Sequence, residues 1–374
     1  MLANDISFEA ISGLQTLLEA LSKKVCKIVF IGNSVTAQKK GYRQYLSDLI
    51  TQESKFQHNY INAGIGGVGS LASAFFVNDF VLRHRPDICF VECTVADIEG
   101  ATPTHFIPDS IHGIIKKLKS QNIIICFLHL FNSNKSSIKV NHIISMYDGI
   151  LAQYGVPAIN IYQAFSKLID SGEYRNDDLL FDGVHTTDFG ARLTAKYIFD
   201  AFLNVCEFNV KLNSYPTASN RAHSILEFTE ITKPDKCLVN ASKNFSRNKF
   251  KNIISYIELK QDEFICFKVK EGALYGILLV IDQYSGVICI KYDSKQILVQ
   301  TFDNWCDRER LQVLIFQEPI SSNTSITITL SEFDSADRGA NILPNNYIKK
   351  AESTKIVGLL NSIKNKPTEL NLLW

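Results

Sequence analysis

Four apolar residues, Ile28-Val-Phe-Ile31, run without a polar break into Gly32-Asn33-Ser34. A half-exposed strand alternates apolar and polar residues. A short continuous run predicts instead a strand buried on both faces, as in a parallel sheet sandwiched by helices. Gly32 lets the backbone turn sharply at the strand end, and Ser34 falls where the strand gives way to a helix. Backbone N–H groups at a helix start are unpaired and carry partial positive charge, so a negative oxygen formed beside Ser34 is stabilised there. Gly-x-Ser is common, and taken alone this stretch reads far more readily as a plain strand-to-helix loop.

A second stretch changes that balance. A serine hydroxyl is a poor nucleophile until a base takes its proton, and a histidine is useful as that base when a carboxylate fixes its tautomer. Asp182-Gly-Val-His185 supplies both residue types, three apart and ahead of a helix, inside the longer pattern Leu-Leu-Phe-Asp-Gly-Val-His-Thr-Thr-Asp-Phe-Gly at 179–190. Ser34, Asp182 and His185 are therefore the candidate catalytic residues.

Between Lys27 and about Asn204 strands and helices alternate. Strands are expected at 25–31, 58–62, 87–94, 122–130 and 158–161, with helices near 42–52 and 190–202. Repeated βα units imply a mostly parallel sheet with helices on both faces and ligands at the carboxyl ends of the strands. Ser34, Gly67 and Asp97 all follow expected strand ends and so share one rim. Gly64, Gly66 and Gly69 allow close backbone approach to a ligand, but the segment has neither Gly-Lys-Ser/Thr nor the dinucleotide-binding spacing.

These residues resemble the blocks of the SGNH (GDSL-type) hydrolases. Gly32-Asn33-Ser34-Val35-Thr36 is similar to the first block, Asn62-Ala63-Gly64-Ile65-Gly66-Gly67 to the second, Phe90 to Asp97 to the third, and Asp182-Gly-Val-His185 to the last. The blocks occur in the family's order over roughly residues 25–204. The resemblance implies a flavodoxin-like α/β domain in which Ser34 is the nucleophile, His185 the base and Asp182 its orienting partner. The backbone N–H groups of Ser34 and Gly67 are implied as donors to the oxyanion. It also implies esterase, deacetylase or acyltransferase chemistry with no metal and no redox cofactor. Two departures stand out. Asn33 replaces the family's aspartate, a change that keeps size and hydrogen-bonding ability. Ala96 replaces the asparagine whose side chain is the family's third oxyanion donor, and Thr94 is a candidate substitute.

At 374 residues the chain exceeds what one hydrophobic core usually organises, so two domains are expected. The boundaries expected are an SGNH-like catalytic domain over 1–204, a linker over 205–225 and a β-rich accessory domain over 226–374. Short β-rich runs at 264–269, 275–281, 286–292, 296–302, 311–316 and 325–330 predict an antiparallel sandwich, jelly-roll-like. Tyr284, Tyr292 and Trp305 are candidates for stacking on sugar rings, although filling a core is the commoner role for any one of them. The segment after Pro344 shows no clear pattern.

A formal net charge of +1, with acidic and basic residues mixed, gives no basic stripe for nucleic acid and no polybasic run for a membrane surface. The nine cysteines lack C-x-x-C spacing, the start of the chain lacks a secretion signal, and no apolar run is long enough to span a bilayer. A cytoplasmic location is expected. The function expected is serine-dependent acyl transfer on an O-acylated carbohydrate, as O-acetyltransferase or O-acetylesterase of a bacterial surface polysaccharide or its precursor, with acetyl-CoA a possible donor. The alternative is a catalytically decayed domain acting as a glycan-binding or scaffold protein.

Overall fold

The structure is a computed structural model that describes residues 8–207, 229–232, 238–241, 246–250, 254–260, 262–268, 272–282, 285–300, 309–321, 324–330 and 353–362. The chain divides into two compact units, Met1–Glu227 and Phe228–Trp374.

In the first unit, strands β1 (Lys27–Gly32), β2 (Asn59–Gly64), β3 (Ile88–Glu92), β4 (Ile124–His129) and β5 (Ala158–Asn160) form one sheet in the order β2-β1-β3-β4-β5. All pairs are parallel, with Gly32 opposite both Gly64 and Glu92. This is the doubly wound order of flavodoxin-like folds, whose binding crevice lies at the strands' carboxyl ends beside the first strand. Ile28 to Ile31 and all of β3 are buried, as strands covered on both faces must be. Phe30 and Phe90 stack across them at 4.9 Å.

Helix α1 (Phe8–Lys23) precedes the sheet; α2 (Ser34–Ala37), α3 (Tyr42–Glu53), α4 (Ser70–Phe76), α5 (Thr94–Glu99), α6 (Ile107–Lys119) and α7 (Ser137–Tyr154) lie in the crossovers between strands; and α8 (Ile161–Asp170), α9 (Asn176–Leu179) and α10 (Asp188–Glu207) follow β5. α10 packs with α1 and α3, and α6 with α4 and α7. α10 continues three residues beyond the boundary expected at Asn204. The rest of the expected linker, apart from its first three residues, lies outside the described residues.

The second unit is antiparallel throughout its described pairs. Its strands are β6 (Thr229–Thr232), β7 (Leu238–Ala241), β8 (Ser246–Phe250), β9 (Ile254–Lys260), β10 (Phe264–Lys268), β11 (Ala273–Ile281), β12 (Val287–Tyr292), β13 (Lys295–Gln300), β14 (Arg310–Ser321), β15 (Ser325–Leu330) and β16 (Ser353–Ser362). One sheet runs β13-β12-β15-β10-β7. The other runs β14-β11-β16-β9-β8, with β6 also on β16. Ile265, Phe267, Ile288 and Ile326 from the first sheet join Ile257, Ile277, Ile356 and Leu359 from the second in one core, which makes the unit a sandwich. Pro319 is accommodated because β14, among the described residues, is an edge strand that pairs only with β11. Tyr292 packs against the core. Tyr284 and Trp305 lie outside the described residues.

Candidate functional site

The site begins where β1 ends. A Cβ at Gly32 would collide with the backbone oxygen of Glu92 and the hydroxyl of Thr36, so the turn at this point is closed to any larger residue. Asn33 caps α2: its extended backbone leaves the helix and its Oδ1 accepts the Val35 N–H at 2.9 Å. Ser34 follows as the first helical residue. The loop after β2 lies against it, with Ile65 N–H donating to the Gly32 carbonyl at 2.8 Å and a Cβ at Gly66 falling 3.9 Å from that of Ser34. Gly67 holds a left-handed φ of 72° and is exposed. Among the described residues, neither the Ser34 N–H nor the Gly67 N–H has an acceptor.

The segment 180–186 folds into a tight turn closed by pairing of Leu180 with Thr186 and by the Phe181 N–H donating to the His185 carbonyl at 3.0 Å. It is tied down from two sides. Gln38 donates from Nε2 to the Thr186 carbonyl at 3.0 Å, and the Ser133 N–H donates to the Gly183 carbonyl at 3.0 Å. Within the turn, Asp182 Oδ1 accepts the N–H groups of His185 (2.6 Å) and Val184 (3.0 Å). Its Oδ2 lies 2.6 Å from His185 Nδ1, and His185 Nε2 lies 2.8 Å from Ser34 Oγ. Partial burial works against the Asp182 charge, but the two N–H groups and the imidazole outweigh it and hold the carboxyl below its ordinary range. The ionised carboxylate accepts from Nδ1–H, so Nε2 of the neutral imidazole is left to accept the Ser34 proton. Ser34, Asp182 and His185 thus form an unbroken hydrogen-bonded chain.

The third block carries no matching donor. Ala96 sits inside α5, 7% exposed, with a methyl group where an amide is expected. Thr94 does not replace it. Its hydroxyl lies 2.9 Å from Nδ1 of His129, whose Nε2 lies 3.0 Å from Asp148 Oδ1. With Nε2–H donated to the carboxylate, Nδ1 is an acceptor and the threonine proton is committed to it. Asp97 is buried and structural. It receives the Ser70 N–H (2.9 Å) and the Tyr147 hydroxyl (2.6 Å), so it fixes the start of α4 against α7, and burial raises its carboxyl.

Two residues were not singled out from the sequence. Glu92, fully buried at the end of β3, lies under the Ser34 turn. Its Oε1 accepts the Val95 N–H at 3.1 Å, its Oε2 lies 3.5 Å from the Thr36 hydroxyl, and the Asn33 backbone N–H also donates to it. Burial pushes its carboxyl up to about 8. The signal was present, as an acid in the otherwise apolar run Ile88-Cys-Phe-Val-Glu-Cys93. Phe181, 65% exposed, lies nearly parallel to the His185 ring at a centroid distance of 5.6 Å and 16° between planes. Asn33 Nδ2 is buried without a hydrogen-bond partner among the described residues. Among the described residues there is no group of three or more His, Cys, Asp or Glu placed to hold a metal ion, and no helix long and apolar enough to cross a membrane.

A five-stranded flavodoxin-like sheet that presents a serine, a histidine and an aspartate in sequence at its carboxyl rim has the architecture of the SGNH hydrolases. Residues 30–193, all within the first unit, match the model of the GDSL-like lipase/acylhydrolase family. No curated protein matches the chain in sequence. Among solved structures, the chain is similar to a two-domain esterase active on acetylated mannans, with a TM-score of 0.74 and 17% identity over 98% of each chain. It is also similar to a crystal structure of such an esterase co-crystallised with mannopentaose, with a TM-score of 0.69 and 17% identity over 96% of each chain. At this identity the likeness is one of fold, and it extends over both units.

Proposed function

We infer that the protein is a serine esterase that removes acyl groups, acetyl foremost, from carbohydrate hydroxyls. The observation that carries this is the chain from Ser34 Oγ through His185 to Asp182, with links of 2.8 and 2.6 Å. His185 takes the Ser34 proton at Nε2 as Oγ attacks the ester carbonyl, and Asp182 stabilises the imidazolium. The oxyanion is received by the N–H groups of Ser34 and Gly67, which have no acceptor among the described residues. His185 then returns the proton to the departing sugar oxygen, which leaves an acyl-Ser34 enzyme. A water deprotonated by the same imidazole releases the acid. The carbohydrate class is supported by the fold shared with the mannan-active esterase.

Transfer to a sugar hydroxyl, from acetyl-CoA and onto a surface polysaccharide, would use the same acyl-enzyme. The side chains of His185 and Asp182 are 25% and 31% exposed, which gives water ready access and favours hydrolysis. A cytoplasmic setting suits Cys26, Cys89, Cys93, Cys126, Cys266 and Cys289, which are free thiols. A decayed scaffold is the second reading, and Ala96 favours it, since loss of one oxyanion donor costs on the order of 100- to 1000-fold in rate. Incubation with p-nitrophenyl acetate decides between the two. The esterase gives nitrophenol turnover and a transient acetyl mass on Ser34, both lost in Ser34→Ala. The scaffold gives neither.

A further inference from the structure

Phe181 stands out among the exposed residues for its neighbour. Leaving most of a phenylalanine ring in water forgoes hydrophobic stabilisation, yet the turn that carries it is closed by several hydrogen bonds. The Phe181 N–H is bonded to the His185 carbonyl, Leu180 pairs with Thr186, and the Gly183 carbonyl is held by Ser133. The backbone that carries the ring is therefore fixed beside His185. The ring plane lies 16° from that of the His185 imidazole at a centroid distance of 5.6 Å, and the residue is 65% exposed, so ring surface next to the base is open to a ligand.

We propose that the outer face of Phe181 is the platform on which the sugar ring bearing the scissile ester stacks, and that it sets the preference for carbohydrate esters over small ones. This rests on the esterase reading above. The π face of an aromatic ring is electron-rich, and the C–H groups on one side of a pyranose carry partial positive charge and few hydroxyls. A rigid ring offers that contact at little cost in conformational entropy, unlike a flexible aliphatic side chain. Because Phe181 is bound by backbone to the residue whose Nε2 meets Ser34 Oγ, a sugar stacked on it is held at a fixed offset from the nucleophile. Such positioning acts through substrate binding, so it appears mainly in KM. The same ring lies nearly parallel to that of His185, so the binding surface and the base sit on one turn.

The test compares wild type, Phe181→Ala and Phe181→Tyr on acetylated manno-oligosaccharides and on p-nitrophenyl acetate, with melting temperature as a check on folding. Phe181→Ala should lower kcat/KM on the oligosaccharide about tenfold or more, chiefly through KM, and lower it several-fold less on the nitrophenyl ester. Phe181→Tyr, which keeps the ring, should restore most of the loss. An equal fall on both substrates would assign Phe181 to support of His185 alone and overturn the proposal, as would an unchanged oligosaccharide KM in Phe181→Ala. Wild type that turns over the nitrophenyl ester but no acetylated oligosaccharide would remove the carbohydrate reading and the platform together. Absence of turnover on both would remove the esterase reading itself.

Discussion

His185 Nε2 lies 2.8 Å from Ser34 Oγ across a sequence separation of 151 residues. Gln38 of the Ser34 loop holds the Thr186 carbonyl, so the nucleophile turn and the histidine turn are fastened to each other as well as to the sheet. Residues acting as one unit lose activity together. Ser34→Ala and His185→Ala should each reduce nitrophenyl acetate hydrolysis by on the order of 10^4- to 10^6-fold or to background, with the double variant no worse than either. Steady-state rates on folded variants check this, and additive losses would mean the two side chains act separately.

Glu92 gives a prediction about pH and stability. Burial raises its carboxyl from 4.5 to about 8, so in the folded protein it holds a proton that the unfolded chain has already released at neutral pH. The sign follows from linkage: the folded state binds more protons between these values, so stability is full below about 4.5 and falls as pH rises towards about 8. Glu92→Gln mimics the protonated acid, with Oε1 able to accept the Val95 N–H and Nε2 able to donate to the Thr36 hydroxyl. Its melting temperature should therefore lose less than that of wild type between pH 5 and pH 8. Parallel curves for the two proteins would show that Glu92 is not protonated in this range.

The strands of the parallel sheet and the two stretches around Ser34 and Asp182–His185 were legible for a common reason: each piece is marked by residues close together in the chain, although the pieces meet only in the fold. Ile28 to Ile31 read as a doubly buried strand without help from elsewhere. Thr94 was expected inside a strand but begins α5, because the apolar run passes through the strand–helix junction at Cys93 and composition does not mark it. Strand β16 was not visible, although it sits in the interior of its sheet. Lys355 interrupts its apolar pattern and is tolerated only because Asp282 (2.7 Å) and Glu309 (2.6 Å) neutralise it from distant segments. The role of Glu92 was likewise hidden, since an acid in a strand shows its meaning only when the turn it supports is in place.

Ala96 offers a gain of function. A methyl group stands at the position of the family's third oxyanion donor, and Thr94 is committed to His129. Ala96→Asn should raise kcat for nitrophenyl acetate by roughly tenfold or more if the amide reaches the oxyanion, with KM little changed, because the interaction exists only in the transition state. An unchanged rate in a folded variant would mean that the site already has its full set of donors.

The two units should also prove separable. Ser34, Gly67, Asp182 and His185 all lie within Met1–Glu227, and so do the sheet that positions them and the helices that cover it. A chain of that length buries enough apolar surface to fold alone. No strand of the second unit pairs with the parallel sheet among the described residues. A fragment ending at Glu227 should therefore unfold cooperatively and hydrolyse nitrophenyl acetate at a rate within a few-fold of the full chain. Thermal unfolding and kinetics on the purified fragment check both points. A fragment that folds but has lost most of its ester hydrolysis would assign the second unit a part in the reaction. One that aggregates or lacks a cooperative transition would show that the first core is completed only by the second unit.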